Sequence, residues 1–272
     1  MTVLFIGGGN MGRALIGGLL AQGRARKELA VVELDAAARA RLQDEFGVHA
    51  APAIDQALAA RAGTIVLAVK PQHLRATAQS LAPHLTGQLV ISIAAGVRLN
   101  DLSRWLGGHT CLVRVMPNTP AMIRRGIAGL FAHPGVGEAE CKKAEVILNA
   151  VGETMWCDRE EQLDAITAVS GSGPAYVFYF LEALIEAGRD LGFSPDQARR
   201  LAYATAGGAV ALAEQSTEPP AALRMQVTSK GGTTEAALAV LEQRAVKAAF
   251  IVAIRAAEAR AVELGDVLGR DR

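Results

Sequence analysis

Short aliphatic runs alternate with amphipathic segments through the first part of the chain. Runs of four to six apolar and β-branched residues between turn residues are typical of buried strands. The predicted strands cover residues 3–6, 30–34, 64–69, 89–94, 111–116, 127–132 and 153–157. Helical spacing of apolar residues follows the first two runs, at 11–22 and 35–46. This alternation predicts a doubly wound α/β domain with a parallel sheet as its core.

After about residue 160 the pattern changes to helices alone. Long helices are predicted over residues 174–191, 194–215 and 234–264. Ser194 and Pro195 form a typical helix start, and Pro219 with Pro220 interrupts the pattern before the last helix. We therefore predict an α/β domain at 1–159 and an all-helical domain at 160–272.

The predicted helices are apolar around much of their circumference, for example over 201–213 and 245–257. A helix with several apolar faces must be buried on several faces. A domain of this size does not easily do that alone, so we expect a homodimer whose chains share a core. A compact monomeric bundle is the alternative.

Composition and charge exclude several classes of protein. Hydrophobic residues make up 51% of the 272 positions, which is too many for a disordered chain. The formal net charge is +1, so neither nucleic acid nor an acidic membrane is expected as a partner. Cys111, Cys141 and Cys157 are odd in number and widely spaced. They predict free, mostly buried thiols in a reducing cytoplasm, and no metal-ligand spacing is present. Neither a secretory signal nor a bilayer-length apolar run is found.

The strongest chemical signal is the glycine-rich segment that follows the first predicted strand. Gly7, Gly9 and Gly12 form G-x-G-x-x-G between a strand and a helix, the context of a dinucleotide-binding loop. Gly7 permits the tight turn, Gly9 lets the backbone approach the pyrophosphate, and Gly12 lets the helix pack on the strand. Free N–H groups at the helix start would then face the phosphates.

The end of the second predicted strand bears on which nicotinamide nucleotide binds. An acid there, Glu33 or Asp35, favours NAD by accepting hydrogen bonds from the adenosine ribose. Arg39 and Arg41 follow and would suit a 2′-phosphate instead. Asp35 is also interpreted as a helix N-cap, so the nucleotide preference stays open.

The other predicted strands also end in residues suited to a ligand, because carboxyl ends of parallel strands share one edge. Lys70 follows the third strand, where it would reach a phosphate or ribose or simply be solvated. Small residues at 94–96 leave room for a flat ring. Asn118 lies between two prolines, either to contact a carboxamide or to form a turn.

Two glycine-rich helix starts occur in the helical part, at 170–176 and 228–234. Each offers N–H and hydroxyl donors at a helix N-terminus, which suits a carboxylate. The first is also explained as a cap with close packing. The second has two glycines and four hydroxyls in seven residues, which favours an anion site.

Taken as a set, these segments resemble the pyrroline-5-carboxylate reductase family over nearly the whole chain. The resemblance rests on Gly7-Gly8-Gly9-Asn10-Met11, on Ala-Val-Lys-Pro at 68–71, Ala-Ala-Gly at 94–96, Met-Pro-Asn-Thr-Pro at 116–120, Ser-Gly-Ser-Gly-Pro-Ala-Tyr at 170–176 and Gly-Gly-Thr-Thr at 231–234. It implies reduction of 1-pyrroline-5-carboxylate to L-proline with NADPH, or with NADH. It also implies a Rossmann-type domain, a helical dimerisation domain, and a homodimer that can assemble into a decamer.

The resemblance also assigns roles to residues. The expected cofactor contacts are Ile6, Gly7, Gly8, Gly9, Asn10, Met11, Leu34, Ala68, Val69, Lys70, Pro71, Ala94, Ala95, Gly96 and Asn118. The expected substrate contacts are Ser229, Gly231, Gly232, Thr233 and Thr234. Thr234 is the expected catalytic residue, hydrogen-bonded to the ring nitrogen.

Two departures from the family pattern matter. Lys230 stands where the family usually has proline, and the acids Glu33, Asp35 and Asp55 argue against strict use of NADPH. Reduction of an imine to a basic amine needs little general-acid power, which agrees with the absence of histidine after His133. Two alternatives remain open: a β-hydroxyacid dehydrogenase with Lys230 as base, and an NAD(P)-binding redox sensor without turnover.

Overall fold

The computed structural model describes residues 2–270, which divide into two compact units. The first comprises Met1–Ser172 together with Ala257–Arg272, and the second comprises Gly173–Ala256. The last helix therefore contributes its final turns to the first unit.

One eight-stranded sheet forms the centre of the first unit. Its strands are β1 (Thr2–Ile6), β2 (Leu29–Val32), β3 (His49–Ala51), β4 (Ala62–Leu67), β5 (Leu89–Ser92), β6 (Leu112–Met116), β7 (Gly126–Ala132) and β8 (Gly152–Trp156). The order is β3-β2-β1-β4-β5-β6-β7-β8. The sequence predicted seven of these strands to within two residues at each end; the three-residue β3 was missed.

The sheet is not parallel throughout. β1 to β6 run parallel, whereas β7 pairs antiparallel with β6, and β8 follows β7 in parallel. The link from β6 to β7 holds only a single turn of 3₁₀-helix at Thr119–Ile123. A link without a crossover helix favours an antiparallel partner. The predicted parallel-sheet core is confirmed over β1 to β6, whereas the pair β6–β7 is antiparallel.

Helices cover both faces of the sheet, and each face has its own apolar core. The helices of this unit are α1 (Asn10–Ala21), α2 (Ala36–Phe46), α3 (Gln56–Arg61), α4 (Pro71–Leu81), α5 (Leu99–Trp105), α6 (Glu138–Leu148) and α7 (Gln162–Ile166). Side chains of β1 alternate between the cores: Val3 and Phe5 lie in one, Leu4 and Ile6 in the other. A strand buried on both faces reads as the continuous apolar run seen in the sequence.

The second unit is helical. Its elements are α8 (Gly173–Asp190), α9 (Pro195–Gln215), α10 (Pro220–Gln226), α11 (Thr233–Gln243) and the start of α12 (Val246–Leu268). The prediction of one helix over 234–264 is wrong, because the chain breaks at Ala245, whose φ is +50°. Neither glycine nor proline marks that break. Pro219 and Pro220, expected only to interrupt a helix, instead begin the short α10.

The second unit has almost no core of its own. Among its residues only Ala198 and Ala202 are buried apolar side chains, whereas Phe178, Phe180 and Leu212 are each more than half exposed. This pattern fits a helical surface completed by another chain. Within residues 2–270, no helix combines the length and apolarity needed to cross a bilayer.

Candidate functional site

The carboxyl ends of β1, β2, β4, β5 and β6 bring the predicted cofactor segments to one edge of the sheet. Gly7 donates to the carbonyl of Val32 at 2.8 Å, which ties the loop after β1 to the end of β2. The N–H of Ile93 donates to the carbonyl of Leu67 at 3.2 Å, so the segments after β4 and β5 start side by side. The strand order reverses between β1 and β4, the position at which open α/β sheets bind ligands.

The three glycines of the first loop are required for three different reasons. Gly7 has a φ of +101°, and a Cβ there would lie 2.6 Å from the carbonyl oxygen of Ala68. A Cβ on Gly12 would lie 2.6 Å from the carbonyl oxygen of Gly7, because α1 packs directly on the turn. Gly9 has ordinary backbone angles, and its Cβ would meet nothing within 4 Å. The protein itself does not need glycine at position 9, whereas a pyrophosphate lying against the loop would.

Glu33 is built into this loop. Its Oε2 accepts a hydrogen bond of 2.8 Å from the N–H of Gly8, and its Oε1 accepts one of 3.1 Å from the N–H of Asp35. Asp35 caps α2 by accepting from Ala38 at 2.7 Å, so the capping interpretation of Asp35 is confirmed. Arg39 donates to the carbonyls of Glu33 and Leu34, both at 2.8 Å. Two backbone N–H groups thus hold the carboxylate of Glu33, with one arginine beside it.

A cleft of about 590 Å³ lies along this edge and is the candidate dinucleotide site. The predicted residues on its wall are Ile6, Gly7, Gly9, Leu34, Ala68, Val69 and Lys70. The sequence did not single out the wall residues Val32, Ala53, Ile54, His73, Ala76, Thr77 and Ser80. His73 to Ser80 lie on α4, where an amphipathic pattern alone does not say which polar positions face a ligand.

The remaining predicted contacts lie outside the wall of this cleft. They are Gly8, Asn10, Met11, Pro71, Ala94, Ala95, Gly96 and Asn118. Asn10 borders a smaller recess of about 250 Å³ beside Arg13 and Met122. Asp55 caps α3 by accepting from Leu58 at 2.7 Å, next to the cleft residue Ile54.

Asn118 is buried and has a structural bond. Its Oδ1 accepts a hydrogen bond of 3.0 Å from the N–H of Ile127, which fixes the turn between β6 and β7. The turn interpretation therefore accounts for the amide oxygen. The amide nitrogen is the atom that a ligand would use.

The second glycine-rich helix start lies in the helical unit and is the candidate anion site. Gly231 has a φ of +73°, and its N–H donates to Glu235 Oε2 at 2.6 Å. Gly232 is the residue before α11 and donates to the carbonyl of Ser229 at 3.0 Å. α11 begins at Thr233, so the N–H groups of its first turn have no acceptor within the helix. Of the expected donors, the N–H groups of Gly231 and Gly232 are therefore already engaged.

The first glycine-rich start, at 170–176, follows a different geometry. Residues Thr167–Gly171 form one π-helical turn, and Ser170 Oγ is buried without a hydrogen-bond partner in the described structure. A Cβ on Gly171 would lie 2.5 Å from Met116 Cε. Close packing, rather than a free cap, therefore explains the glycine at 171.

The three cysteines are free and partly buried, rather than mostly buried as predicted. Burial raises the pKa of the thiols of Cys111, Cys141 and Cys157, and nearby acidic groups add to that rise in each case. Among the described residues, no group of three or more histidine, cysteine or acidic side chains could hold a metal ion.

Comparison with known proteins defines the class to which this site belongs. Residues 2–96 match the family model described as NADP oxidoreductase, coenzyme F420-dependent. Residues 160–264 match the model described as pyrroline-5-carboxylate reductase dimerisation. A dinucleotide loop at the switch point of the sheet, followed by this helical domain, defines a two-domain NAD(P)-dependent oxidoreductase.

Full-length relatives narrow the class to one family. The chain is 45% identical to a pyrroline-5-carboxylate reductase of Pseudomonas aeruginosa, covering 98% of each chain. A solved pyrroline-5-carboxylate reductase of Coxiella burnetii superposes with a TM-score of 0.90 at 40% identity, covering 97% of this chain and 98% of the other. A Plasmodium falciparum pyrroline carboxylate reductase solved with NADP bound gives 0.87 at 28% identity, with the same coverage. The chain belongs to the pyrroline-5-carboxylate reductase family.

Proposed function

We propose that this chain reduces the C=N bond of 1-pyrroline-5-carboxylate to give L-proline, with NADPH or NADH as the hydride donor. The observation that carries the proposal is the loop at Gly7–Gly12. A Cβ at Gly9 would project into open space where a pyrophosphate would lie, while Gly7 and Gly12 hold the turn that exposes it. The names of the full-length relatives supply the substrate. Among the three functions considered from the sequence, family membership favours the imine reductase.

The residues of the sheet edge fit a bound dinucleotide. The N–H groups at the start of α1 suit the pyrophosphate, and Glu33 suits the adenosine ribose. The small residues Ala94, Ala95 and Gly96 suit the nicotinamide end. When bound, the reduced nicotinamide supplies the hydride. We assign the remaining predicted contacts, from Ile6 through Asn118, to this same nucleotide.

The loop before α11 fits the substrate carboxylate. Ser229 and Thr233 offer hydroxyls, and the N–H groups of the first turn of α11 add the partial positive charge of a helix start. Glu235 occupies the N–H of Gly231, so we assign Gly231 the role of shaping the loop rather than of binding directly. Lys230 is exposed and adds a positive charge that favours an acidic substrate.

Thr234 is the residue proposed to orient the ring nitrogen. It is half-buried in the first turn of α11, beside the proposed carboxylate donors. The amine product is strongly basic, so the nitrogen needs a hydrogen-bond partner more than a strong acid. The contribution of the protein is then mainly orientation of the two reactants.

Turnover of purified protein tests the proposal directly. We expect oxidation of NADPH or NADH that depends on 1-pyrroline-5-carboxylate and yields L-proline by amino-acid analysis. Thr234→Ala should lower kcat/KM for the imine about 10-fold or more, with nucleotide affinity unchanged. Thr234→Ser keeps the hydroxyl and should retain most of the activity. Nucleotide binding without turnover would refute the reductase proposal and favour the redox sensor.

The helical unit is the proposed dimerisation surface. The proposed division into domains at 1–159 and 160–272 is supported by the dimerisation model that matches residues 160–264. Burying side chains such as Phe178 and Leu212 gains about 1.5–3 kcal/mol each. We assign the chain to a homodimer that can assemble further into a decamer, and to the cytoplasm, which suits three free thiols. Light scattering at micromolar concentration should give twice or ten times the chain mass of 28.4 kDa. A monomer would contradict the assignment.

A further inference from the structure

Four charged side chains form a cluster outside the lining of the proposed dinucleotide cleft: Arg114 and Asp164 are buried, and Arg98 and Glu160 are partly buried. Arg114, on β6, is 3% exposed and pairs with Glu160 Oε1 at 2.9 Å and with Asp164 Oδ1 at 3.3 Å. Asp164 is 2% exposed, and its Oδ2 lies 3.2 Å from Arg98 Nη2. Two positive and two negative groups therefore alternate in one chain of contacts. Buried charges that lose a partner are costly, so these four hold one another in place.

The cluster is tied to the segment that carries Ala94–Gly96. Glu160 Oε1 also accepts a hydrogen bond of 2.8 Å from the N–H of Leu99, the first residue of α5. Arg98 is the residue immediately before that helix. The cluster thus fixes the far end of the segment through a backbone N–H and a side chain. The near end is fixed by Ile93, which donates to the carbonyl of Leu67.

The C-terminal turns of α12 cover the same segment. Gly96 has a φ of +78°, and a Cβ there would lie 2.9 Å from Leu268 Cδ1 and 3.6 Å from Leu264 Cβ. Gly265 faces the guanidinium of Arg98, whose Nη2 would be 3.2 Å from a Cβ at 265. Arg98 Nη2 is also 3.9 Å from Asp266 Oδ1. Arg98 therefore lies between the buried Asp164 and the last helix.

We propose that Arg98 is a positioning residue for the nicotinamide half of the dinucleotide. Clamped between Asp164 and Gly265, Arg98 holds Ala94–Gly96 in the shape that receives the ring. The adenosine half depends instead on Gly7–Gly12 and Glu33, which the cluster does not touch. The inference rests on the proposed function, since it takes Ala94–Gly96 to contact the nucleotide.

Comparing ligands that differ only in the nicotinamide distinguishes the contributions of the two halves of the site to binding. The dissociation constants of NADPH and of 2′-phospho-ADP-ribose are measured for the wild type and for Arg98→Ala, Arg98→Lys and Gly265→Ala. NADH and ADP-ribose form the second matched pair. For Arg98→Ala we expect the affinity for NADPH and NADH to fall about 10-fold, which corresponds to about 1.4 kcal/mol. The affinity for the two fragments should stay within about twofold, since the loss lies in the nicotinamide half.

The other variants guard against a general loss of structure. Arg98→Lys keeps the charge facing Asp164 and should recover part of the NADPH affinity. Gly265→Ala should lower the NADPH affinity as Arg98→Ala does, because its Cβ would press on the Arg98 guanidinium. Ile147→Val, a core change on α6, is the matched control. We expect this variant to lower the melting temperature without altering the ratio of the dissociation constants of NADPH and of 2′-phospho-ADP-ribose.

Three results would overturn the inference. Unchanged affinity for all ligands in Arg98→Ala would leave the cluster a purely structural feature. An equal fall for nucleotide and fragment would show a general distortion of the site. A wild-type protein that binds neither ligand would overturn the proposed function and this inference with it, which separates the two failures.

Discussion

The open space beside Gly9 allows a substitution that should abolish nucleotide binding without unfolding the protein. In Gly9→Val the new Cβ meets no protein atom beyond its chain neighbours, since nothing else lies within 4 Å of the Cβ position. The backbone at position 9 has φ −68° and ψ −175°, which any residue adopts. The added atoms would instead fill the place of the pyrophosphate.

The expected loss follows from the hydrogen bonds that the phosphates would make with the loop. A hydrogen bond to a charged group contributes about 1.5–3 kcal/mol. Displacing the pyrophosphate from two N–H groups therefore costs about 3–6 kcal/mol. At 1.4 kcal/mol per tenfold, the dissociation constant should rise at least about 100-fold. Gly9→Ala, with one added carbon, should lie between wild type and valine.

Stability should change little, which distinguishes this position from its neighbours. Gly9 is the N-cap of α1, and valine is a poorer N-cap than glycine, which destabilises the helix start. Valine also lowers the conformational entropy of the unfolded chain, which stabilises the folded state by a similar amount. The melting temperature should stay within about 4 °C, equivalent to about 1 kcal/mol. Calorimetry checks stability, and quenching of protein fluorescence checks binding. Gly9→Val protein that binds NADPH within threefold of wild type would refute the placement of the pyrophosphate.

Four further outcomes are expected. Gly12→Ala should lower the free energy of unfolding by about 1–3 kcal/mol, because the new Cβ would meet the carbonyl of Gly7. Calorimetry would show this as a lower melting temperature, and an unchanged melting temperature would show that α1 shifts freely. Glu33→Gln should raise the ratio of kcat/KM for NADPH over NADH roughly tenfold, since a carboxylate repels the 2′-phosphate; a constant ratio would assign Glu33 to holding Gly8 alone. Because the pKa values of the Cys111 and Cys157 thiols are raised, alkylation should be slow at neutral pH. Its rate should increase only at a pH above the usual pKa of cysteine, and fast labelling at pH 7 would contradict this. Phe178→Asp should release monomer in light scattering, whereas the exposed Glu138→Gln on α6 should not.

The features that the sequence predicted well are those encoded by neighbouring residues. The strands β1, β2, β4 and β5 each contain a continuous apolar run, whereas Arg114 interrupts the run of β6. Gly7, Gly9 and Gly12 follow β1 directly, so the turn and the start of α1 are local properties. Asp35 caps α2 in the same local way, with its acceptor three residues from the donor.

The tertiary structure alone decided which distant groups meet. Glu33 accepts from Gly8 across 25 positions, and Glu160 reaches the N–H of Leu99 across 61. β7 reverses direction although its apolar run resembles those of the parallel strands, because such a run has no direction of its own. A hydrophobic pattern states which faces are buried. It does not state which charged groups pair, since that depends on the order of the strands in the sheet and on where the last helix packs.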